Sequence, residues 1–163
     1  MKKSTAKIET NSPKETQRVA KEFIRQLFEK PPEKDGALVI ALQGELGSGK
    51  TTFIQGVAQG LGIKEKVLSP TFLIIRTYPF FHALRGIQKL YHVDCYRLRE
   101  HRELRELGWD SIVSDSRNLI FIEWPGRVQK ILPKKVITLK FLAKGEKGRE
   151  ITIWQQNRKL SLS

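Results

Sequence analysis

The run Gly44-Glu45-Leu46-Gly47-Ser48-Gly49-Lys50-Thr51 constrains this chain more than any other stretch. Its spacing is that of a phosphate-cradling loop, G-x-x-x-x-G-K-[ST], and it follows an apolar run, Ala37 to Leu42, that predicts a buried strand. Its glycines open a turn closed to other residues, so consecutive amide N–H groups can converge on a polyphosphate. Lys50 adds a point charge for the outer phosphates and Thr51 a hydroxyl for Mg²⁺. Thr52 to Val57 then opens a helix whose positive end faces the anion. Glu45, Leu46, Gly47, Ser48, Gly49, Lys50, Thr51 and Thr52 are therefore the expected nucleotide-binding segment.

The 163 residues suit a single domain spanning 1–163, with about the first ten residues and the last few expected to be flexible. The basic start, Met1-Lys2-Lys3, leads into Ala6-Lys7-Ile8-Glu9 and lacks the apolar centre of a signal peptide. No apolar run reaches the roughly eighteen residues of a membrane span. One cysteine, Cys95, allows neither an internal disulfide nor a multi-cysteine zinc site, so a reducing cytoplasm is the expected compartment. Thirty Lys and Arg against 17 Asp and Glu leave a net charge of +13, which attracts polyanions. Lys64 to Lys66, Lys130 to Lys135 and Lys144 to Arg149 could line an RNA path, meet an acidic partner, or form solvated faces; no aromatic-interleaved RNA signature accompanies them.

Helix and strand patterns alternate along the chain. Ser12-Pro13-Lys14-Glu15 predicts a capping box opening a helix through Phe28, with Val19, Ala20, Phe23, Ile24, Leu27 and Phe28 as its apolar stripe. Pro31-Pro32 should end it, and Asp35-Gly36 should turn into the first strand. Thr71–Tyr78 and Gln88–Cys95 predict two strands joined by a basic loop. Leu119–Glu123 predicts a short buried strand, and Val136–Leu142 and Arg149–Trp154 two more around Gly145 to Gly148. The expected fold is α/β, a P-loop NTPase-like three-layer sandwich with a mixed central sheet.

Several residues carry chemistry on that scaffold. Glu123 ends an apolar strand, where phosphate-loop enzymes present an acid toward the metal. In His92-Val93-Asp94-Cys95-Tyr96-Arg97, strand alternation sends His92, Asp94 and Tyr96 to one face. Asp94 is expected near Mg²⁺ or the attacking water, with His92 supporting it. His82 and His101 lack such company and are expected to be solvated. Ser69-Pro70-Thr71-Phe72 lies where related NTPases keep a γ-phosphate sensor, although a plain Ser-Pro turn reads equally well. The guanine-specifying N-K-x-D pattern and a D-x-x-G second switch are absent, which favours adenine by elimination.

Together these motifs resemble the TsaE (YjeE) ATPases of bacterial tRNA threonylcarbamoyladenosine biosynthesis. The resemblance is ordered and nearly full length: Glu15-Thr16, Gly44 to Thr52, Ser69-Pro70-Thr71, Tyr91 to Leu98, Glu103-Leu104 with Leu107-Gly108, Glu123-Trp124-Pro125, and Gly148-Arg149-Glu150. It implies an Mg²⁺-dependent enzyme using ATP/ADP that assists TsaB- and TsaD-like proteins in modifying the adenosine next to the anticodon, with weak or indirect tRNA contact through its basic surface. It implies that Lys50 contacts phosphates, that Thr51 and Glu123 hold the metal with Asp94 as a further candidate ligand, and that Thr71 is the switch. Asp94 and Trp124 would serve hydrolysis or partner coupling. Thr16 and Arg149 would lie along the nucleotide, Thr16 on the base side. Without the resemblance, Trp124 reads as an indole packed after a buried strand. Gly126, where an acidic or amide residue often follows Glu-Trp-Pro, and Leu73, where Thr is frequent, depart from the pattern.

Arg97 follows the Asp94 strand and is weighed as an arginine finger against a surface salt bridge. Two other functional classes fit the loop: a small-molecule or nucleoside kinase, with Arg76 to Lys89 as its lid, and a binding module in which ATP drives assembly without required hydrolysis.

Overall fold

The computed structural model describes residues 3–29 and 35–156. In chain order the elements are β1 (Lys3–Thr10), α1 (Pro13–Glu29), β2 (Leu38–Gln43), α2 (Lys50–Gly60), β3 (Ile75–His82), β4 (Ile87–Asp94), α3 (His101–Glu106), α4 (Trp109–Ser114), β5 (Asn118–Glu123), a 3-10 segment (Pro125–Ile131), β6 (Ile137–Lys144) and β7 (Gly148–Gln156).

The strands form one mixed sheet in the order β1-β7-β6-β2-β5-β4-β3. β6, β2, β5 and β4 run parallel at its centre, and antiparallel partners close both sides. Register sets Leu42 beside Glu123 and Glu123 beside Asp94, so two carboxylates share the carboxyl end of the parallel strands. In open α/β sheets that end is where ligands bind.

Helices cover both faces, completing the expected three layers. α1 and α2 pack on one face over Phe23, Ile24, Leu27, Phe53, Ile54, Leu119 and Phe141. Their approach requires glycine: a Cβ at Gly56 would stand 2.6 Å from the Gln17 Cα. α3, α4 and the 3-10 segment cover the other face around Val93, Leu104, Trp109, Ile120, Ile122 and Val128. The Trp109 indole N–H donates to the Ile131 carbonyl at 3.0 Å, satisfying the polar edge of the largest buried ring.

The α1 cap forms with a one-residue difference. The Glu15 N–H donates to Ser12 Oγ at 3.2 Å, while the Glu15 carboxylate reaches past Ser12 to accept from the Asn11 N–H at 2.7 Å. Pro31-Pro32 and the last few residues, 157–163, lie outside the described residues.

Three expectations are corrected. Residues 3–10 are not a flexible lead-in but the edge strand β1, paired along its length with β7, with Ile8 buried against the α1 face. β3 begins at Ile75 rather than Thr71. The Leu73 and Ile74 N–H groups both turn back to the Pro70 carbonyl, at 2.9 and 2.6 Å, and Ile74 adopts φ +66°, which interrupts an extended chain. Third, the basic loop expected between Tyr78 and Gln88 is mostly hairpin, because β3 continues to His82 and β4 starts at Ile87. Arg85 at its turn donates to the Leu27 and Phe28 carbonyls at the end of α1, which has no basic residue of its own in its last turn.

Candidate functional site

The loop between β2 and α2 wraps the end of the sheet as its glycines require. Gly47 and Gly49 have φ of +75° and +100°, and a Cβ at Gly47 would meet nothing within 4 Å, so this backbone is open on its outer side. Beside it lies a cleft of about 250 Å³ lined by Thr16, Leu46 to Thr52, Ser69, Thr71, Asp94, Glu123, Trp124 and Arg149. Every expected site residue except Glu45 lines this cleft. Glu45 is exposed and contributes through its backbone, accepting from the Ser48 N–H and from Lys50.

Lys50 is buried and folded back onto its own loop. Its ammonium donates to the Gly44 carbonyl at 2.8 Å and the Glu45 carbonyl at 2.9 Å. It also lies 3.9 Å from Glu123 Oε2 and 4.9 Å from the centre of the Trp124 ring. Burial pulls its pKa below the ordinary lysine value, opposed by the charges of Glu123, Asp94 and Glu45.

Two carboxylates face the loop, each held by a different set of donors. Glu123 Oε1 accepts from Thr51 Oγ1 at 3.2 Å and lies 2.8 Å from His92 Nε2. Asp94 Oδ2 accepts from Thr71 Oγ1 at 2.8 Å and Ser69 Oγ at 3.4 Å, while its Oδ1 accepts from the Tyr96 N–H at 2.9 Å. His92 therefore supports Glu123, not Asp94 as expected. Alternation places both side chains on one face of β4, but it is Glu123, set diagonally across on β5, that the imidazole meets.

The flanking residues frame the mouth. Trp124 takes φ +58°, which turns its ring out of the strand line onto Tyr96, with centroids 5.0 Å apart, so it is half-buried rather than core. On the α1 side the Thr16 and Thr10 hydroxyls are hydrogen bonded at 2.8 Å, and both side chains are buried. Arg149 reaches over the loop and donates to the Gly47 carbonyl at 3.1 Å. Thr10, carried by a strand the sequence did not announce, is a direct neighbour of the expected site residue Thr16 that reasoning from the chain missed. The Thr-x-Ser-Pro-x-x-Thr order around the α1 cap was no signal for it.

Arg97 does not line the cleft and makes no salt bridge among the described residues. Its guanidinium stacks 4.1 Å from the centre of the Phe72 ring. His82 is part-buried with its ring edge-on to Phe28 at 4.6 Å, which corrects its expected solvation, and His101 is likewise only part-exposed.

Thr51 Oγ1 and the Glu123 carboxylate are hard oxygen donors, the kind that suits Mg²⁺. No group of three or more His, Cys, Asp or Glu able to hold a metal occurs among the described residues. The chain thus offers part of a coordination shell, the usual arrangement when phosphate oxygens supply the rest. Among the described residues no helix is long and apolar enough to cross a membrane.

Comparison with known proteins points the same way as this geometry. Residues 10–151 match the family model described as threonylcarbamoyl adenosine biosynthesis protein TsaE. The chain is 37% identical over 146 residues to the tRNA threonylcarbamoyladenosine biosynthesis protein TsaE of Bacillus subtilis, covering 90% of this chain and 83% of that protein. It is 31% identical over 150 residues to the protein of the same name from Rickettsia prowazekii, covering 90% and 93%. The crystal structure of YdiB from Bacillus subtilis superposes with a TM-score of 0.72 at 30% identity, covering 95% of this chain and 88% of that one. This chain belongs to the TsaE family of tRNA threonylcarbamoyladenosine biosynthesis proteins.

Proposed function

We propose that this protein is an Mg²⁺-dependent ATPase of the cytoplasm whose hydrolysis drives TsaB- and TsaD-like partners through the formation of threonylcarbamoyladenosine on tRNA. The observation that carries this reading is the convergence of Lys50, Thr51, Glu123 and the Thr71–Asp94 pair on one cleft beside the glycine loop. Bound Mg²⁺ would neutralise charge on the phosphates; positioning and charge neutralisation are what phosphoryl transfer to water needs most.

The chain's own residues divide the remaining work. The loop amides and Lys50 bind phosphate, and Thr51 and Glu123 hold the cation. Asp94, tied to Thr71, orients the attacking water, so that closure of the Ser69–Thr71 segment and alignment of the acid are one event. Thr16 and Arg149 flank the nucleoside end. Adenine is favoured because the guanine-reading N-K-x-D pattern is absent.

Neither of the two arginines weighed for the site stands ready as a finger: Arg97 is stacked on Phe72, and Arg149 is engaged on the Gly47 carbonyl. Phosphate-loop enzymes lacking a finger turn over at roughly 10⁻⁴ per second, and a finger supplied in trans raises that by about 10³ to 10⁵. Steady-state ATP hydrolysis, measured alone and with a purified TsaB–TsaD pair, tests the reading. Slow turnover stimulated by the pair is expected. Rapid turnover alone, or no response to the pair, overturns it.

The kinase alternative loses its lid, because Arg76 to Lys89 is paired sheet anchored to α1. The assembly-only alternative predicts ATP-dependent partner binding that supports modification fully when hydrolysis is abolished.

A further inference from the structure

His92 is a buried polar side chain in an apolar layer. It is 0% exposed, sits third from the carboxyl end of β4 beside Phe121 of β5, and shares its face with Leu90, Leu119 and Phe121. Burying an imidazole there is unfavourable unless its nitrogens are satisfied. Nε2 lies 2.8 Å from Glu123 Oε1, whereas Nδ1 has no hydrogen-bond partner among the described residues.

That asymmetry fixes the direction of the bond. A carboxylate only accepts, so Nε2 carries the proton and donates. Oε1 then holds two donors, His92 and Thr51, and Oε2 is the oxygen left facing Lys50 and the cleft. A glutamate with three rotatable side-chain bonds at the end of a strand would otherwise sample several orientations.

We propose that His92 is a positioning residue. Its Nε2–H pins Glu123 Oε1 so that Oε2 is presented to the nucleotide-bound cation, making His92 a determinant of metal affinity that never touches the metal. The inference rests on the reading of Glu123 as a metal-holding residue. Donors behind a ligating carboxylate commonly set metal affinity by 10–100-fold.

The test is calorimetric titration of the full-length protein with ADP, in EDTA and across a series of Mg²⁺ concentrations. Three variants separate the roles. His92→Leu removes the donor; His92→Gln returns an amide N–H at the reach of Nε2; His92→Asn offers one only at the reach of Nδ1. His92→Leu and His92→Asn should each need about tenfold more Mg²⁺ for the half-maximal effect on ADP binding, with metal-free affinity within about twofold of wild type. His92→Gln should restore the wild-type Mg²⁺ response. Should the leucine variant fail to fold, the contrast between Gln and Asn carries the test alone.

A wild-type Mg²⁺ response in the donor-less variants overturns the proposal. So does equal impairment of Gln and Asn, or a loss of metal-free ADP affinity as large as the loss of Mg²⁺ response, since a purely structural role would do both. If wild-type protein binds ADP with no dependence on Mg²⁺, the metal reading of Glu123 falls first and this inference with it.

Discussion

Asp94 and Glu123 sit side by side in register on β4 and β5, yet they share no hydrogen-bond donor. Asp94 is bound to groups outside the helices and strands, Ser69, Thr71 and the Tyr96 amide, and Glu123 to Thr51 of α2 and His92 of the sheet. The two acids thus have separate supports although they are neighbours in space, and substitutions at them should produce different defects.

Asp94→Ala should leave nucleotide binding within about threefold of wild type, because no proposed phosphate contact is removed, while turnover falls by roughly 10² or more, as expected for loss of a group acting on the attacking water. Single-turnover hydrolysis beside calorimetric ADP binding checks this. Parent-rate hydrolysis would make Asp94 structural.

Lys50→Ala should weaken ATP and ADP binding about ten- to a hundredfold, since each charged hydrogen bond to phosphate is worth roughly 1.5–3 kcal/mol. Affinity unchanged by calorimetry would remove the loop from the site.

Thr10→Val deletes the hydroxyl that meets Thr16 without changing side-chain shape. The expected result is a loss of about three- to tenfold in ATP affinity, with maximal turnover retained, as for one neutral hydrogen bond. A raised KM with unchanged kcat supports a role on the nucleoside side; a fall in kcat alone contradicts it.

Gly56→Ala should destabilise the fold by about 1–3 kcal/mol, the range for overpacking a close contact, because the new methyl meets α1 backbone that cannot step aside. Urea denaturation measures it directly. Nucleotide affinity measured well below the unfolding midpoint should change little.

Cys95 gives a pH-dependent prediction. Burial first, then the neighbouring Asp94 and Glu123 charges, push its thiol from 9.0 up to about 12. The folded state thus favours the protonated thiol. Its contribution is fully present below pH 9 and declines between pH 9 and 12, where unfolding releases a proton, with a slope approaching about 1.4 kcal/mol per pH unit. Denaturation curves above pH 9 should fall more steeply for wild type than for Cys95→Ala. Thiol-specific labelling at pH 8 should be slow until denaturant is added.

Much of the site was legible because its chemistry is local in sequence. The glycine loop with Lys50 and Thr51, and the strand-end acid Glu123, lie in runs whose spacing states their geometry. The central strands were visible for the same reason, since β2 and β5 are continuous apolar runs of buried parallel type. What escaped depends on pairing between distant segments. β1 has only Ala6 and Ile8 as apolar residues and becomes a strand because β7 offers it an edge. α3 and α4 are six residues each, too short for helical periodicity to register. The partner of His92 could not be read from β4 alone, because strand alternation gives the face of a side chain and not which neighbour across the sheet it meets.

The fold-back of Lys50 would give phosphate binding, on the function proposed above, the character of a substitution. The Gly44 and Glu45 carbonyls already solvate the ammonium, so an incoming phosphate oxygen would compete with internal ligands instead of meeting a bare cation, and a departing one would be replaced by them in turn. The buried charge would not be stranded at either end of such a cycle. A loop with its own resident acceptors can release product without first admitting water to take the product's place.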